Sequence, residues 1–311
     1  MYLTVTLNPS IDHYGRLAEG KKLVFNEDGS PAVNRLVSES YEVGGKGINV
    51  AKILHRLTGT DVYASGFTAS FTGNEIIRDV EDEGIKTAFI DVPGSTRINL
   101  KITDGFGNET EINGSGPSVG NDDVERLISL LSGLDYDTLF ISGSMPSNLD
   151  ADTYYKIASS ALKNEPGLRL IIDCEGEALM KCLPLNPFLI KPNVSELSVL
   201  TGTKLTEGSS KEEILKAAKT LQDEGAVNVL VSAGSKGAFL LTRRDEFYHA
   251  DGIKGEVVST IGAGDTMLAS FICAVDRGMD MKAALEYANK CAALTAFTSG
   301  LPEKESLLLI N

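Results

Sequence analysis

The second half of the chain alternates two hydrophobic patterns. Short, nearly continuous apolar runs at 138–142, 168–173, 188–190 and 227–232 read as strands buried on both faces. Between them, 151–163 and 211–224 read as helices; in the latter Ile214, Leu215, Ala218 and Leu221 fall on one helix face. This alternation predicts a parallel sheet covered by helices on both faces. Right-handed crossovers then carry the loops after the strands to one edge of the sheet, where ligands bind in such folds.

The first half reads differently. Residues 14–43 and 87–113 are polar, and the strand-like piece 97–103 alternates in the period of a sheet with one wet face. They interrupt a helix at 48–57 and a strand–helix pair at 61–83. Two such inserts, at roughly 13–43 and 87–113, predict a small β-sheet lid on a chain read as one domain over 1–311.

Composition narrows the function. Hydrophobic residues make up 42% and charged residues 23% of 311, the balance of a globular protein. The net charge of −14 would repel a nucleic-acid backbone or an anionic bilayer, so neither is an expected partner. A small anion needs only two or three bases and is not excluded. The first seven residues lack a basic leader and read as a strand, not a signal peptide, and no apolar run reaches the ~18 residues of a membrane span. Cys174, Cys182, Cys273 and Cys291 form no Cys-x-x-Cys pair and read as buried free thiols, which points to the cytoplasm. His13, His55 and His249 have no metal-ligand spacing.

No P-loop, no Gly-x-Gly-x-x-Gly after the first strand and no Gly-x-Ser-x-Gly elbow is present. Five other segments carry candidate chemistry. After strand-like 256–260, Gly262, Ala263 and Gly264 open a helix; small residues leave its N–H groups open to an anion, beside Asp265. The alternative is an Asp N-cap after a tight turn. Gly44, Gly45 and Gly47 surround Lys46 and precede Asn49, a backbone that a ligand can approach beside a phosphate-binding charge; the alternative is a glycine turn with a solvated lysine. Asn193 and Glu196 share a helix-start face and suit Mg²⁺ that also holds phosphates, or else form a capping box. Asn8, Pro9 and Asp12 put a carboxylate at a strand end, suited to sugar hydroxyls or to a surface turn. Ser142, Gly143, Ser144 and Pro146 end another strand with two small hydroxyls.

In this order the five segments resemble the PfkB (ribokinase-like) carbohydrate kinases, from residue 1 to about 300. Asn8 to Asp12, Asn34 with Arg35, Gly45 to Gly47 and Thr96 to Lys101 look most like the 1-phosphofructokinase branch, with tagatose-6-phosphate kinases as near relatives. The resemblance implies an α/β fold, a mostly parallel sheet flanked by helices with a β lid, and transfer from ATP to fructose 1-phosphate, giving fructose 1,6-bisphosphate and ADP. Asp265 resembles the general base, and the amides of Gly262, Ala263 and Gly264 the anion hole. Asp12, Gly44, Gly45, Asn49 and Asn99 resemble sugar contacts; Arg35, Lys46, Arg97 and Ser144 are candidates for the sugar phosphate. Lys191, Asn193, Ser232, Gly234, Gly237 and Asn289 resemble the nucleotide side, with Asn193 and Glu196 organising Mg²⁺ through water. A monovalent-cation loop is expected near Val257, Ser259 and Ser299, and a homodimer through the lid. The alternatives are a tagatose 6-phosphate substrate, or a catalytically idle sugar-phosphate sensor, which would not need Asp265 or Glu196. Ala69 and Ser70 stand where relatives have Gly-Gly, Ala233 and Ser270 depart from the usual residues, and Gly after Pro146 is lacking; none of these removes a catalytic group.

Overall fold

The computed structural model describes residues 1–26, 30 and 32–310. Its strands are β1 (Tyr2–Thr6), β2 (Ser10–Leu17), β3 (Leu36–Gly44), β4 (Val62–Thr68), β5 (Lys86–Asp91), β6 (Arg97–Thr103), β7 (Glu109–Asn113), β8 (Thr138–Ser142), β9 (Arg169–Asp173), β10 (Leu189–Ile190), β11 (Val229–Ser232), β12 (Ala238–Leu241) and β13 (Phe247–Ala250). Nine of them form one sheet in the order β13-β12-β11-β10-β9-β8-β1-β4-β5. Every neighbouring pair from β5 to β11 is parallel, and β12 and β13 close one edge antiparallel.

Period-two alternation divides the core between the two faces of this sheet. Leu139 and Ile141 of β8 point into one cluster with Leu170 and Ile172, under the helices Asn121–Ser132, Thr153–Asn164 and Lys211–Asp223. Phe140, Ile171 and Leu230 point the other way, against Lys46–Thr58, Ala263–Asp276 and Met281–Ala296. The expected helix near 211 starts where Ser210 and Glu213 cap each other reciprocally. The helix Ala263–Asp276 is buried along most of its length because it is flanked on one face of the sheet by Lys46–Thr58 and Met281–Ala296.

A second sheet has the order β3-β2-β6-β7, with β2 and β6 parallel. Three residues separate its first strand from the end of β1. The second insert starts later than its pattern suggested: Lys86–Asp91 pairs with β4 at the edge of the large sheet, where Ile90 is buried. Residues 27–29 and 31 of the first insert lie outside the described residues. The strand expected at 256–260 does not form. Val257 and Val258 are each 59% exposed, and Val258 and Ser259 donate to the Ala296 carbonyl at a helix end, so this apolar pair lines a loop. No helix of the described residues is long and apolar enough to cross a membrane. All four cysteines are free and buried.

Candidate active site

The C-terminal ends of the parallel strands meet the small sheet across a cleft of about 2120 Å³. Four strand ends deliver polar groups there: Asn8 after β1, Ser144 after β8, Lys191 and Asn193 after β10, and Ser232 at the end of β11.

At the centre, Gly262 turns the chain into the helix Ala263–Asp276. Its φ of 77° is open to glycine, and a Cβ there would lie 2.7 Å from Leu301 Cδ2. Gly262 is itself the N-cap, and Asp265 is the third helical residue, so the carboxylate is not the cap. Asp265 is 6% exposed and accepts from Asn49 Nδ2 at 2.8 Å. Burial, and next the charge of Asp173, push its pKa up to about 6, against the opposing pull of Lys191, Asn49 and Lys46.

Asp173, buried at the end of β9, holds two lysines. Lys191 Nζ is 3.3 Å from its Oδ2 and Lys46 Nζ is 3.5 Å from its Oδ1. Lys46 also faces Glu175 at 3.7 Å and Glu196 at 4.0 Å. Burial disfavours the Lys46 charge, but Asp173, Glu196, Asp265 and Glu175 together outweigh it and hold its pKa above that of an ordinary lysine. The Lys46 ammonium is thus engaged by Asp173, Glu175 and Glu196, whereas the sequence makes it a candidate for the sugar phosphate beside Arg97.

At the small sheet, Asp12 Oδ1 accepts from Ser10 Oγ and Asn99 Nδ2, each at 2.8 Å, and Oδ2 pairs with Lys101 Nζ at 2.8 Å. Arg97 donates to the Asn8 carbonyl at 3.2 Å and reaches Ser144 Oγ at 3.5 Å; burial lowers its pKa. Gly44, Gly45 and Asn49 line the cleft between these groups and Asp265. Arg35 is the exception among the sequence candidates. It precedes β3 on the exposed edge of the small sheet and does not line the cleft.

On the opposite wall, Asn193 and Glu196 form a full capping box: each backbone N–H donates to the other side chain at 2.8 Å. Glu196 therefore commits one oxygen to the cap and turns the other toward Lys46. Among the described residues no group of three His, Cys, Asp or Glu side chains could hold a metal ion. Ser232, Gly234, Gly237 and Asn289 line this end, with Asn289 holding the Asp251 carbonyl at 2.9 Å. His13, His55 and His249 bond to Glu39, the Thr60 carbonyl and the Lys236 carbonyl.

Three contributors are absent from the sequence candidates. Lys101 stands two residues after Asn99 in a period-two strand, so the shared face is a readable signal. Tyr14 stands likewise two residues after Asp12. Asp173 ends β9 at the ligand edge, the position expected for Asp12, which instead is the third residue of β2 in the small sheet because that sheet starts at Ser10.

The pattern of the pfkB family carbohydrate kinases matches residues 7–305. The chain belongs to this family. Like its other members it is a phosphotransferase that uses ATP and a sugar hydroxyl as acceptor. The kinase is 37% identical over 306 residues to 1-phosphofructokinase of Bacillus subtilis, covering 98% of this chain and 95% of that one. It is 38% identical to the Borreliella burgdorferi 1-phosphofructokinase (97% and 94% covered). A D-tagatose-1-phosphate kinase of Bacillus licheniformis is 37% identical, with 99% and 96% covered. Among solved structures, Escherichia coli phosphofructokinase-2 in complex with fructose-6-phosphate superposes with a TM-score of 0.85 at 26% identity, over 99% of this chain and 97% of that one. The ribokinase of Thermotoga maritima shares the fold, with a TM-score of 0.78 at 21% identity and 100% and 99% covered.

Proposed function

We propose that this kinase transfers the γ-phosphoryl group of ATP to the carbon-6 hydroxyl of fructose 1-phosphate, giving fructose 1,6-bisphosphate and ADP. The observation that carries the reading is Asp265: a buried carboxylate with its pKa raised to about 6, at the start of a helix opened by small residues, between a polyol-binding wall and a lysine cluster. Asp265 takes the proton of the acceptor hydroxyl as its oxygen bonds to phosphorus and the bond to the ADP oxygen breaks. The N–H groups of Gly262 and Gly264 and the Lys46 ammonium stabilise charge on the transferring oxygens, whereas the expected third donor, the Ala263 N–H, is given to the Thr260 carbonyl at 3.3 Å by the turn itself. Asp12, Asn49 and Asn99 hold sugar hydroxyls, while Arg97 and Ser144 hold the sugar phosphate. Lys191, Asn193, Ser232, Gly234, Gly237 and Asn289 line the nucleotide end.

Mg²⁺ fits this donor set only as an ion carried mainly by phosphate and water oxygens, which Glu196 and Asn193 would hold through water. Bound there, it would neutralise phosphate charge. A monovalent cation near Val257, Ser259 and Ser299 is supported by the solved structure of E. coli phosphofructokinase-2 in complex with potassium, which this chain resembles with a TM-score of 0.87. The small sheet serves as the lid of a single kinase domain. Its outer face, with Tyr41 60% and Ile112 52% exposed, suits pairing with a second copy.

The relatives favour an acceptor phosphorylated at carbon 1, which moves the alternative substrate from tagatose 6-phosphate to tagatose 1-phosphate. Coupled ADP release with fructose 1-phosphate, both tagatose phosphates, fructose 6-phosphate and free fructose tests the reading. Fastest turnover with fructose 1-phosphate is expected; equal use of free fructose would overturn it, and no turnover with any of them would indicate the sensor.

A further inference from the structure

The small sheet lines the cleft with more acid than base. Asp12, Glu42, Glu109 and Glu111 face it, against Arg97 and Lys101. Arg97 is engaged with Asn8 and Ser144, which leaves Lys101 as the cation in the middle of the wall. Its side chain is only 15% exposed and is fixed twice, by the ion pair to Asp12 Oδ2 at 2.8 Å and by lying 5.1 Å from the centroid of the Tyr14 ring. One further N–H reaches Tyr14 Oη at 3.4 Å. An ammonium has three donors, so one remains for the cleft.

A second, independent observation lies beside it. Asn99 is 6% exposed, its Nδ2 is engaged with Asp12, and its Oδ1 is buried without a hydrogen-bond partner. A buried amide oxygen left unpaired costs free energy that an incoming donor would recover. Asp12 is a second acceptor within the same cluster. Two acceptors next to one donor match adjacent hydroxyl groups, each of which both gives and accepts a hydrogen bond.

We infer that Lys101 is a specificity-determining residue of the acceptor site: it pins the Asp12 carboxylate and donates its remaining N–H to a sugar hydroxyl oxygen adjacent to the hydroxyl held by Asp12 and Asn99. The inference rests on the reading that the acceptor is a sugar phosphate, and it adds the residue that selects among such acceptors.

The test uses the full-length kinase and the sugar phosphate that it turns over fastest. Lys101→Met keeps the stem over Tyr14 and removes the charge; Lys101→Gln keeps a neutral donor and covers the case in which the Met variant folds poorly. Either substitution should raise the KM for the sugar phosphate roughly 10- to 100-fold, the range for a lost charged hydrogen bond, and leave the KM for ATP within about twofold. Monodeoxy analogues supply a readout that mere support of the sheet would not move. One analogue should be discriminated against by the wild type and no longer by either variant. An unchanged sugar-phosphate KM, or undiminished discrimination against every analogue, would overturn the role of Lys101 while leaving the kinase reading intact. A wild type that turns over no sugar phosphate would overturn both.

Discussion

Asn49 donates its side-chain amide to Asp265 across 2.8 Å and thereby ties the helix that follows one glycine turn to the helix that follows the other. The proposed base is thus located by two elements far apart in sequence, and its protonation state by the acids and bases around them.

Asp265→Asn retains shape and loses basicity. Turnover should fall by roughly 10²–10⁴-fold, measured as kcat at saturating substrates. Stability should move the other way. A folded pKa raised from 3.8 to about 6 means that the ionised carboxylate opposes folding above pH 6. The stability associated with the protonated form is fully present below the unfolded pKa and is lost as pH rises through the folded one. At pH 7 the Asn variant should therefore be the more stable protein, by up to about 3 kcal/mol, with the gap closing toward pH 4. Urea unfolding at both pH values checks this; wild-type turnover in the variant would remove Asp265 from the chemistry.

The acid limb of the pH–rate profile should have its midpoint near pH 6, where Asp265 protonates. Asp173 is the largest charge raising that value, after burial itself. Asp173→Asn should shift the limb to lower pH, because the repelling charge is gone and Lys46 and Lys191 are left to favour the ionised base. A limb that stays in place would assign it to another group.

Arg97 and Lys46 should separate kinetically. Arg97→Ala should raise the sugar-phosphate KM by about one to two orders of magnitude and spare the KM for ATP, since charge-assisted bonds to phosphate are strong and positional. Lys46 stands among Asp173, Glu175 and Glu196, so Lys46→Ala should depress kcat and also disturb ATP. Initial rates over a grid of both substrates distinguish the two patterns.

Glu196→Gln retains an oxygen for the Asn193 N–H, so Tm should change little. The loss of one negative charge should move the magnesium dependence of turnover to higher concentration. An unaltered magnesium titration would reduce the Asn193–Glu196 pair to a cap.

Strand ends were the legible part of this molecule. The buried runs near 138, 168, 188 and 227 all became strands of the large sheet, because runs apolar on both faces suit a sheet covered on both sides. The motifs after them converge because parallel strands share one C-terminal edge. Illegible features depended on partners distant in sequence. Beside the exposed Val257, the backbone N–H groups of Val258 and Ser259 bond to a helix end instead of a strand. Lys86–Asp91 found an edge of the large sheet. The salt bridge between Lys101 and Asp12 spans two strands whose parallel pairing no local pattern announces.

The acidic mouth of the cleft has a kinetic consequence. Glu42, Glu109 and Glu111 line it on a chain of net charge −14, so a phosphorylated sugar must cross a repulsive field before it meets Arg97. In dilute buffer that field reaches about 30 Å, whereas near 0.15 M salt it fades within about 8 Å. Encounter with substrate should therefore quicken as ionic strength rises toward the physiological range, the reverse of the usual steering of anions by basic clefts. The side chains that keep stray anions out set a toll that dissolved salt lowers.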